Sequence, residues 1–431
     1  MPPIRKALTS ICIVVPLIYI YWFKVVALPD GGPHFSKSSR GHDLNNTLGF
    51  SRIFVINLPS RVDRRNTIAL AGAVSNLSIT FLDGLTGDQV PGNVVSPDTQ
   101  SLALQDSGAR GSWRSHMNAI QAVVDQGLGS ALIMEDDVDW DVRLKKQLLT
   151  FADASRLWLK ESRRDDGRVG LLPFMPPSFV GKRDDEAIED EGAQKTTISL
   201  SSGVDIPNGM SSVYGDEWDV IWLGHCGSDL PGLQSTVSPL RVTVPDDITV
   251  PAPKHLKPHP FAYKDKLGEL YPPHTRVVHA ANGNTCSLAY AVSQQGARKM
   301  LWQFGENFVY QFDMMLRDWC QGEYPSTSDK IQPRRYSGKS REDTHNANDK
   351  FETVRNQVEN PVCVTVQPPL ISHHFSETSK SDIQAQGGGY AKGKGTPYIR
   401  LGVRENLERL VKGLGETEMV DQLLDDGPTI W

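Results

Sequence analysis

The sequence predicts an α/β protein built on a mostly parallel, Rossmann-like sheet flanked by helices and interrupted by polar loops. Three observations carry this. Short apolar, β-rich runs recur early in the chain, the segments between them have helical spacing, and the third run delivers the chain directly into a cluster of acids.

The first run is Arg52 to Leu58 (RIFVINL), closed by Pro59, and it reads as a strand. Val62 to Val74 places basic residues early and apolar ones at helical spacing, so a helix follows. Ser78 to Leu82 is a second strand, ending at Asp83-Gly84, and a polar loop runs on to about residue 107. Gly111 to Gln126 reads as a helix ended by Gly127 and Gly129, and Ser130 to Met134 (SALIM) as a buried strand. Further on, Glu217 to Leu223 reads as a strand, Asn284 to Gln294 as strand into loop and Gly296 to Phe304 as a helix. Val362 to Val366 is a short strand, and Arg404 to Leu424 an amphipathic C-terminal helix. Segments 161–215, 227–275 and 322–360 are polar or rich in Ser, Gly and Pro and are expected as disordered insertions.

With 431 residues, a net charge of −6 and 39% apolar residues, the chain is long enough for a large core. It lacks the basic clusters that nucleic-acid binding requires. Arg5 and Lys6 precede a charge-free run from Leu8 to Phe23, which Lys24 interrupts and Val25 to Leu28 extend. A membrane helix needs about 20 apolar residues, so 1–28 reads as a short cytosolic tail and signal anchor with the remainder lumenal. Residues 29–50 read as a stem and 51–431 as the lumenal catalytic domain. The sequons Asn45-Asn46-Thr47 and Asn76-Leu77-Ser78 agree with that topology. Outside the apolar run lie Cys226, Cys286, Cys320 and Cys363, which allow three pairings in an oxidising compartment. Oligomeric state is not legible.

Chemistry concentrates in ALIMEDDVDW, residues 131 to 140. Ligands of open α/β sheets bind at the carboxyl ends of strands. The adjacent carboxylates Glu135, Asp136 and Asp137 repel one another, and a hard divalent cation relieves this. Alternation along an extended run points Glu135 and Asp137 one way and Asp136 the other. Upstream, Asn57 ends the first strand, and Arg61, Arg64 and Arg65 crowd a helix N-terminus, where cations are disfavoured unless an anion arrives. Ser115 and His116 lie in the helix preceding the acidic strand and offer polar groups to a phosphate or sugar.

Three blocks, INLPSRVDRR, GSWRSHMNAI and ALIMEDDV, resemble the signature of family 25 glycosyltransferases. That group includes bacterial lipooligosaccharide glycosyltransferases and procollagen galactosyltransferases. WDVIWLGH (218–225), SLAYAVSQQGARKML (287–301), QFDMML (311–316) and QPPLISHHFSETSKSDIQ (367–384) extend the resemblance in the same order. Trp113, where a Cys or small residue is usual, and the His373-His374 pair depart from the pattern. The resemblance implies a glycosyltransferase A-type fold and a UDP-sugar donor carrying galactose or glucose. It also implies Mn2+ or Mg2+, inversion at the anomeric carbon, and a glycan or glycoprotein acceptor in the endoplasmic reticulum or Golgi. It places Asn57, Arg61, Arg64, Asp83, Ser115, His116 and Asp136 at the donor, and Glu135 and Asp137 at the metal. Apart from the resemblance, imidazole chemistry makes His374 (or His373) a candidate third ligand. Asp313 is the expected proton acceptor, with Glu306 and Asp219 in reserve. A phosphoester or nucleotide-sugar hydrolase and a silent sugar-binding scaffold of the same fold are the alternatives.

Overall fold

A computed structural model describes residues 44–92, 107–163, 196–201, 204–257, 265–306, 308–324, 361–375 and 394–431. The first half comprises β1 (Arg52–Asn57), α1 (Val62–Val74), β2 (Ile79–Asp83), α2 (Ser107–Asp125), β3 (Ser130–Glu135), β4 (Val138–Trp140), α3 (Leu144–Glu161) and β5 (Thr197–Ser199). The second half comprises β6 (Val220–Gly224), β7 (Arg241–Val244), α4 (Leu267–Leu270), β8 (Arg276–Ala280), β9 (Ala289–Ser293), α5 (Gln294–Phe304), α6 (Phe312–Cys320), β10 (Cys363–Gln367), β11 (Ile371–His373) and α7 (Leu407–Val411).

The strands form one sheet in the order β2-β1-β3-β9-β6-β10-β8-β7-β5. β1 is parallel to β2 and to β3, as expected from the strand–helix–strand rhythm. The sheet as a whole is mixed rather than mostly parallel. β9 runs antiparallel to β3 and β6, and β8 antiparallel to β10 and β7. β4 and β11 form a small antiparallel ladder joined to the sheet through Ile371 and Gly224.

Strand alternation divides the core in two. Ile53, Val55, Leu132 and Met134 pack with Ile68 of α1 and Leu148 and Phe151 of α3. Phe54, Ile133, Trp222 and Tyr290 pack on the other face with α2, α5 and α6 through Trp113, Met117, Met300 and Phe312. This two-sided burial is why the strands read as continuous apolar runs.

Several boundaries differ from expectation. The folded body includes residues expected in the stem: Leu44, Leu48 and Phe50 are buried in the core, and the Tyr214 hydroxyl donates to the Leu48 carbonyl. The 227–275 segment is partly structured: it supplies β7 and α4, and Arg241 is buried with its guanidinium donating to the Pro231 carbonyl. The C-terminal helix shrinks to α7 and a 3-10 turn at Glu416–Glu418, since Gly413 adopts φ +73 and ends the first piece. The cysteines pair as Cys226–Cys286 and Cys320–Cys363. No helix among the described residues is long and apolar enough to cross a membrane. The apolar run at 8–28, most of 161–215 and all but the start of 322–360 lie outside the described residues.

Between the sheet and α4, Asp265 is buried, and its Oδ1 accepts from the Leu267 amide and from Gln367 Nε2, each at 2.9 Å. Burial pushes its carboxyl up from 3.8 to about 6. The folded chain therefore holds a proton that the unfolded chain releases. Asp265 favours the fold fully below pH 3.8, and that contribution is lost as pH rises through about 6. Asp265→Asn keeps an oxygen for both donors, so urea unfolding of this variant should show a flatter pH dependence across that window. An unchanged slope would refute the assignment.

Candidate active site

β3 ends at Glu135, and the chain turns through Asp136 and Asp137 before β4 leaves. The turn is held from four directions. Asn57, at the carboxyl end of β1, donates through Nδ2 to Asp136 Oδ2 at 2.7 Å. Arg64, in the first turns of α1, donates through Nη1 to Asp136 Oδ1 at 2.9 Å and to Asp137 Oδ2 at 3.0 Å. His373, at the end of β11, places Nε2 at 3.3 Å from Asp137 Oδ2. Arg404, from the C-terminal segment, donates to the Asp136 and Val138 carbonyls at 2.7 and 2.8 Å.

These contacts split the behaviour of the two aspartates. Burial, then the charge of Asp137, raises Asp136 against the opposing pull of Arg64 and Asn57. Burial also opposes ionisation of Asp137, but His373 and Arg64 outweigh it and hold that carboxyl below the usual carboxylate range. Burial works against the His373 imidazolium in turn, and Asp137 overcomes it and raises the imidazole. Asp137 Oδ1, Asn57 Oδ1 and His373 Nδ1 are buried without a hydrogen-bond partner. Such orphaned polar atoms in one place mark a site prepared for a polar ligand.

Glu135 turns to a second group. Its Oε1 accepts from Ser287 Oγ at 2.8 Å and lies 3.5 Å from His116 Nε2. His116 is buried, stacked on Phe312 at 4.4 Å and 2°, with Nδ1 3.1 Å from the Tyr290 hydroxyl. The next residue along α6 is Asp313, whose Oδ2 accepts from the Cys286 amide at 2.7 Å. Burial raises the Asp313 carboxyl, against the pull of that amide.

The expected site residues thus fall into distinct places. Asn57, Arg64, Asp136 and Asp137 converge, and Glu135, His116 and Asp313 flank them. Arg61 pairs with Asp63, its Nη2 2.9 Å from Oδ2. Asp83 is in register with Asn57 at the same sheet edge but is exposed, with Arg65 at 3.9 Å. Ser115 serves the scaffold: Oγ donates to the Gly111 carbonyl at 2.7 Å and accepts from the Leu85 amide at 2.8 Å. A side chain at Gly111 would place Cβ 2.4 Å from the Leu85 carbonyl, so only glycine allows α2 this close to the loop. His374 does not face the acids: its amide donates to the Asp137 carbonyl at 2.8 Å and its Nδ1 lies 2.9 Å from Thr396 Oγ1. It is His373 that reaches the Asp137 carboxylate. Asp219 sits before β6, at the opposite end of the sheet, bonded to Lys299 at 2.7 Å. Glu306 is exposed just beyond α5. Arg404, Ser287 and Tyr290 join the site without having been singled out. Ser287 and Tyr290 sit in SLAYAV, whereas nothing local marks Arg404.

No group of three or more His, Cys, Asp or Glu side chains among the described residues forms a metal cage. Asp137 and His373 nevertheless stand together, and Asp137 keeps a free oxygen. Magnesium-like cations are commonly held by one or two carboxylates plus substrate phosphates. The donor set fits a cation shared with a diphosphate, not one enclosed by protein.

Residues 50–168 match the model described as glycosyltransferase family 25 (LPS biosynthesis protein). This span is similar to family 25. It holds β1 through α3, and with them Asn57, Arg64, His116 and the acidic turn. Asp313, His373 and Arg404 lie beyond it. Curated relatives include a Bos taurus protein named probable inactive glycosyltransferase 25 family member 3, 27% identical over 146 residues (30% of this chain, 24% of that protein). Procollagen galactosyltransferase 2 of Homo sapiens is 30% identical over 119 residues (25% and 18%). Procollagen galactosyltransferase 1 of Danio rerio is 33% identical over 111 residues (23% and 18%). The chain thus spans a quarter or less of the length of these relatives. The matched span contributes Asn57, Arg64, His116 and the acidic turn, and later parts of the chain contribute Asp313, His373 and Arg404.

Proposed function

We propose that this protein is a metal-dependent, inverting glycosyltransferase that moves galactose or glucose from a UDP-sugar to a hydroxyl of a glycan or glycoprotein. The observation that carries the reading is the acidic turn of the span similar to family 25, braced by Arg64 and Asn57 and presenting an unpartnered Asp137 oxygen at the strand ends. The relatives named procollagen galactosyltransferase favour galactose as the sugar. A divalent cation on Asp137 and His373 would supply Lewis-acid neutralisation of the leaving diphosphate. Arg64 adds fixed positive charge beside the same acids. Inversion takes one displacement: the acceptor oxygen bonds the anomeric carbon as the bond to the diphosphate oxygen breaks. Asp313 accepts the hydroxyl proton, its orientation held by the Cys286 amide.

We place the protein in the endoplasmic reticulum or Golgi, anchored by the apolar run at 8–28 with the catalytic body lumenal. The two disulfides, which use every cysteine outside that run, support an oxidising compartment.

The test is UDP release by the purified full-length chain with a panel of UDP-sugars and Mn2+. One donor should turn over, and a chelator should stop it. Failure to bind UDP in calorimetry would overturn the reading, and hydrolysis of simple phosphate esters would favour a phosphoesterase. A silent sugar-binding member is the second reading, favoured by Arg64 already engaging both aspartates and by the probable inactive relative. UDP binding without turnover would establish it. His373→Gln should weaken Mn2+-dependent UDP binding by at least about tenfold, the least that loss of a contact around a metal commonly costs. His374→Gln should leave that affinity near wild type, and the reverse result would exchange their roles.

A further inference from the structure

Residues 286–288 touch both flanking carboxylates at once. The Cys286 amide donates to Asp313 Oδ2 at 2.7 Å, Ser287 Oγ donates to Glu135 Oε1 at 2.8 Å, and the Leu288 carbonyl accepts from the Glu135 amide at 2.9 Å. Cys286 holds φ +63, a left-handed conformation that L-residues other than Asn and Asp rarely adopt. Something must keep it there. Its carbonyl accepts from Trp222 Nε1 at 3.1 Å, and Cys226 and Gly227 exchange backbone hydrogen bonds with Thr285 beside it. Its sulfur is bonded to Cys226, just beyond β6.

We propose that the Cys226–Cys286 disulfide is a positioning element of the active site: it pins the 286–288 segment so that its amide and hydroxyl aim Asp313 and Glu135. The inference rests on the reading of Asp313 as proton acceptor. The other disulfide serves as an internal comparison. Cys320–Cys363 ties the end of α6 to the start of β10 and donates nothing to either carboxylate. The titratable groups facing Asp313 are Glu135 from β3 and His116 from α2, while Arg317 on α6 pairs with Asp318. With the amide withdrawn, Asp313 keeps its burial and the repulsion of Glu135 but loses a donor to its ionised form.

The experiment compares Cys226→Ser/Cys286→Gly with Cys320→Ala/Cys363→Ala in the full-length chain. Glycine accepts a positive φ, so the first pair removes the tether without a conformational penalty at position 286. The first pair should lose at least about tenfold in kcat for UDP-sugar turnover, the scale on which misplaced catalytic groups act. Its UDP affinity should stay within about twofold, and the acid limb of its rate profile should move to higher pH. The second pair should lower thermal stability and leave the acid limb in place. Carbon-13 NMR titration of the Asp313 carboxyl reads the same shift without turnover. A wild-type protein that turns over no UDP-sugar therefore fails the functional reading and still tests the tether. An unmoved Asp313 titration in the first pair, or equal shifts in both pairs, overturns the proposal.

Discussion

Asp137→Asn should lower UDP-sugar turnover by about 10²–10³-fold, the range seen when one preorganised electrostatic group is removed. The carboxylate balances Arg64 and His373 and keeps a buried, unpartnered oxygen. The stability loss should be smaller than the ~3–5 kcal/mol typical of stranding a buried charge. Arg64 keeps Asp136, and His373 can release its proton. The pair also leaves a pH signature. Asp137 holds the His373 imidazole above its ordinary 6.5, so below that value, and as long as Asp137 stays ionised, the pair stabilises the fold fully. The contribution is lost as pH rises through the elevated pKa. Urea unfolding of Asp137→Asn should lack that decline. Turnover within tenfold of wild type would remove Asp137 from the mechanism.

Arg404→Ala should be the more damaging change for the architecture. The guanidinium donates to the Asp136 and Val138 carbonyls, and the Arg404 amide donates to Asp139 Oδ1 at 3.1 Å. Asp139 is fully buried, and its other oxygen accepts from Thr396 Oγ1 at 2.9 Å. Truncation leaves two turn carbonyls without donors, at about 1–3 kcal/mol each, and withdraws the cation nearest Asp139. A turn displaced by about 1 Å would reduce turnover about 10²-fold. Arg404→Lys restores charge but not the two-pronged fork, so it should recover stability only in part. Thermal unfolding and UDP release measure both effects. An Arg404→Ala protein with wild-type melting and turnover would show that the turn stands without its brace.

Arg404 is not legible as a site residue in the sequence. The stretch from Arg404 to Leu424 has the spacing of an amphipathic helix, and an arginine at its start looks solvated. Only the tertiary fold sends it under the acidic turn. β1, α1, β2 and β3 were legible because burial on both faces writes continuous apolar runs and flanking helices write a 3.6-residue period. β7 was not: RVTV is four residues long, opens with a charge, and sits in a polar, proline-rich stretch. The choice between His373 and His374 turns on strand parity. Adjacent residues along an extended run face opposite ways, and the sequence does not say whether His373, the last residue of β11, or His374 just beyond it turns to the acids. The antiparallel insertion of β9 beside β3 depends on chain crossing, which no local pattern encodes.

The sheet order also bears on how the protein acquires its competence. The strand carrying Glu135 pairs with Ala289–Ser293, and the turn beyond it leans on His373 and Arg404. Local helices and the β1–α1–β2 unit can form from near neighbours, but this turn waits on contacts separated by more than a hundred residues. Closing such long loops is slow compared with helix formation. In refolding, helical circular dichroism should therefore recover ahead of nucleotide binding, and a chain halted in between would be largely structured yet unable to hold its donor.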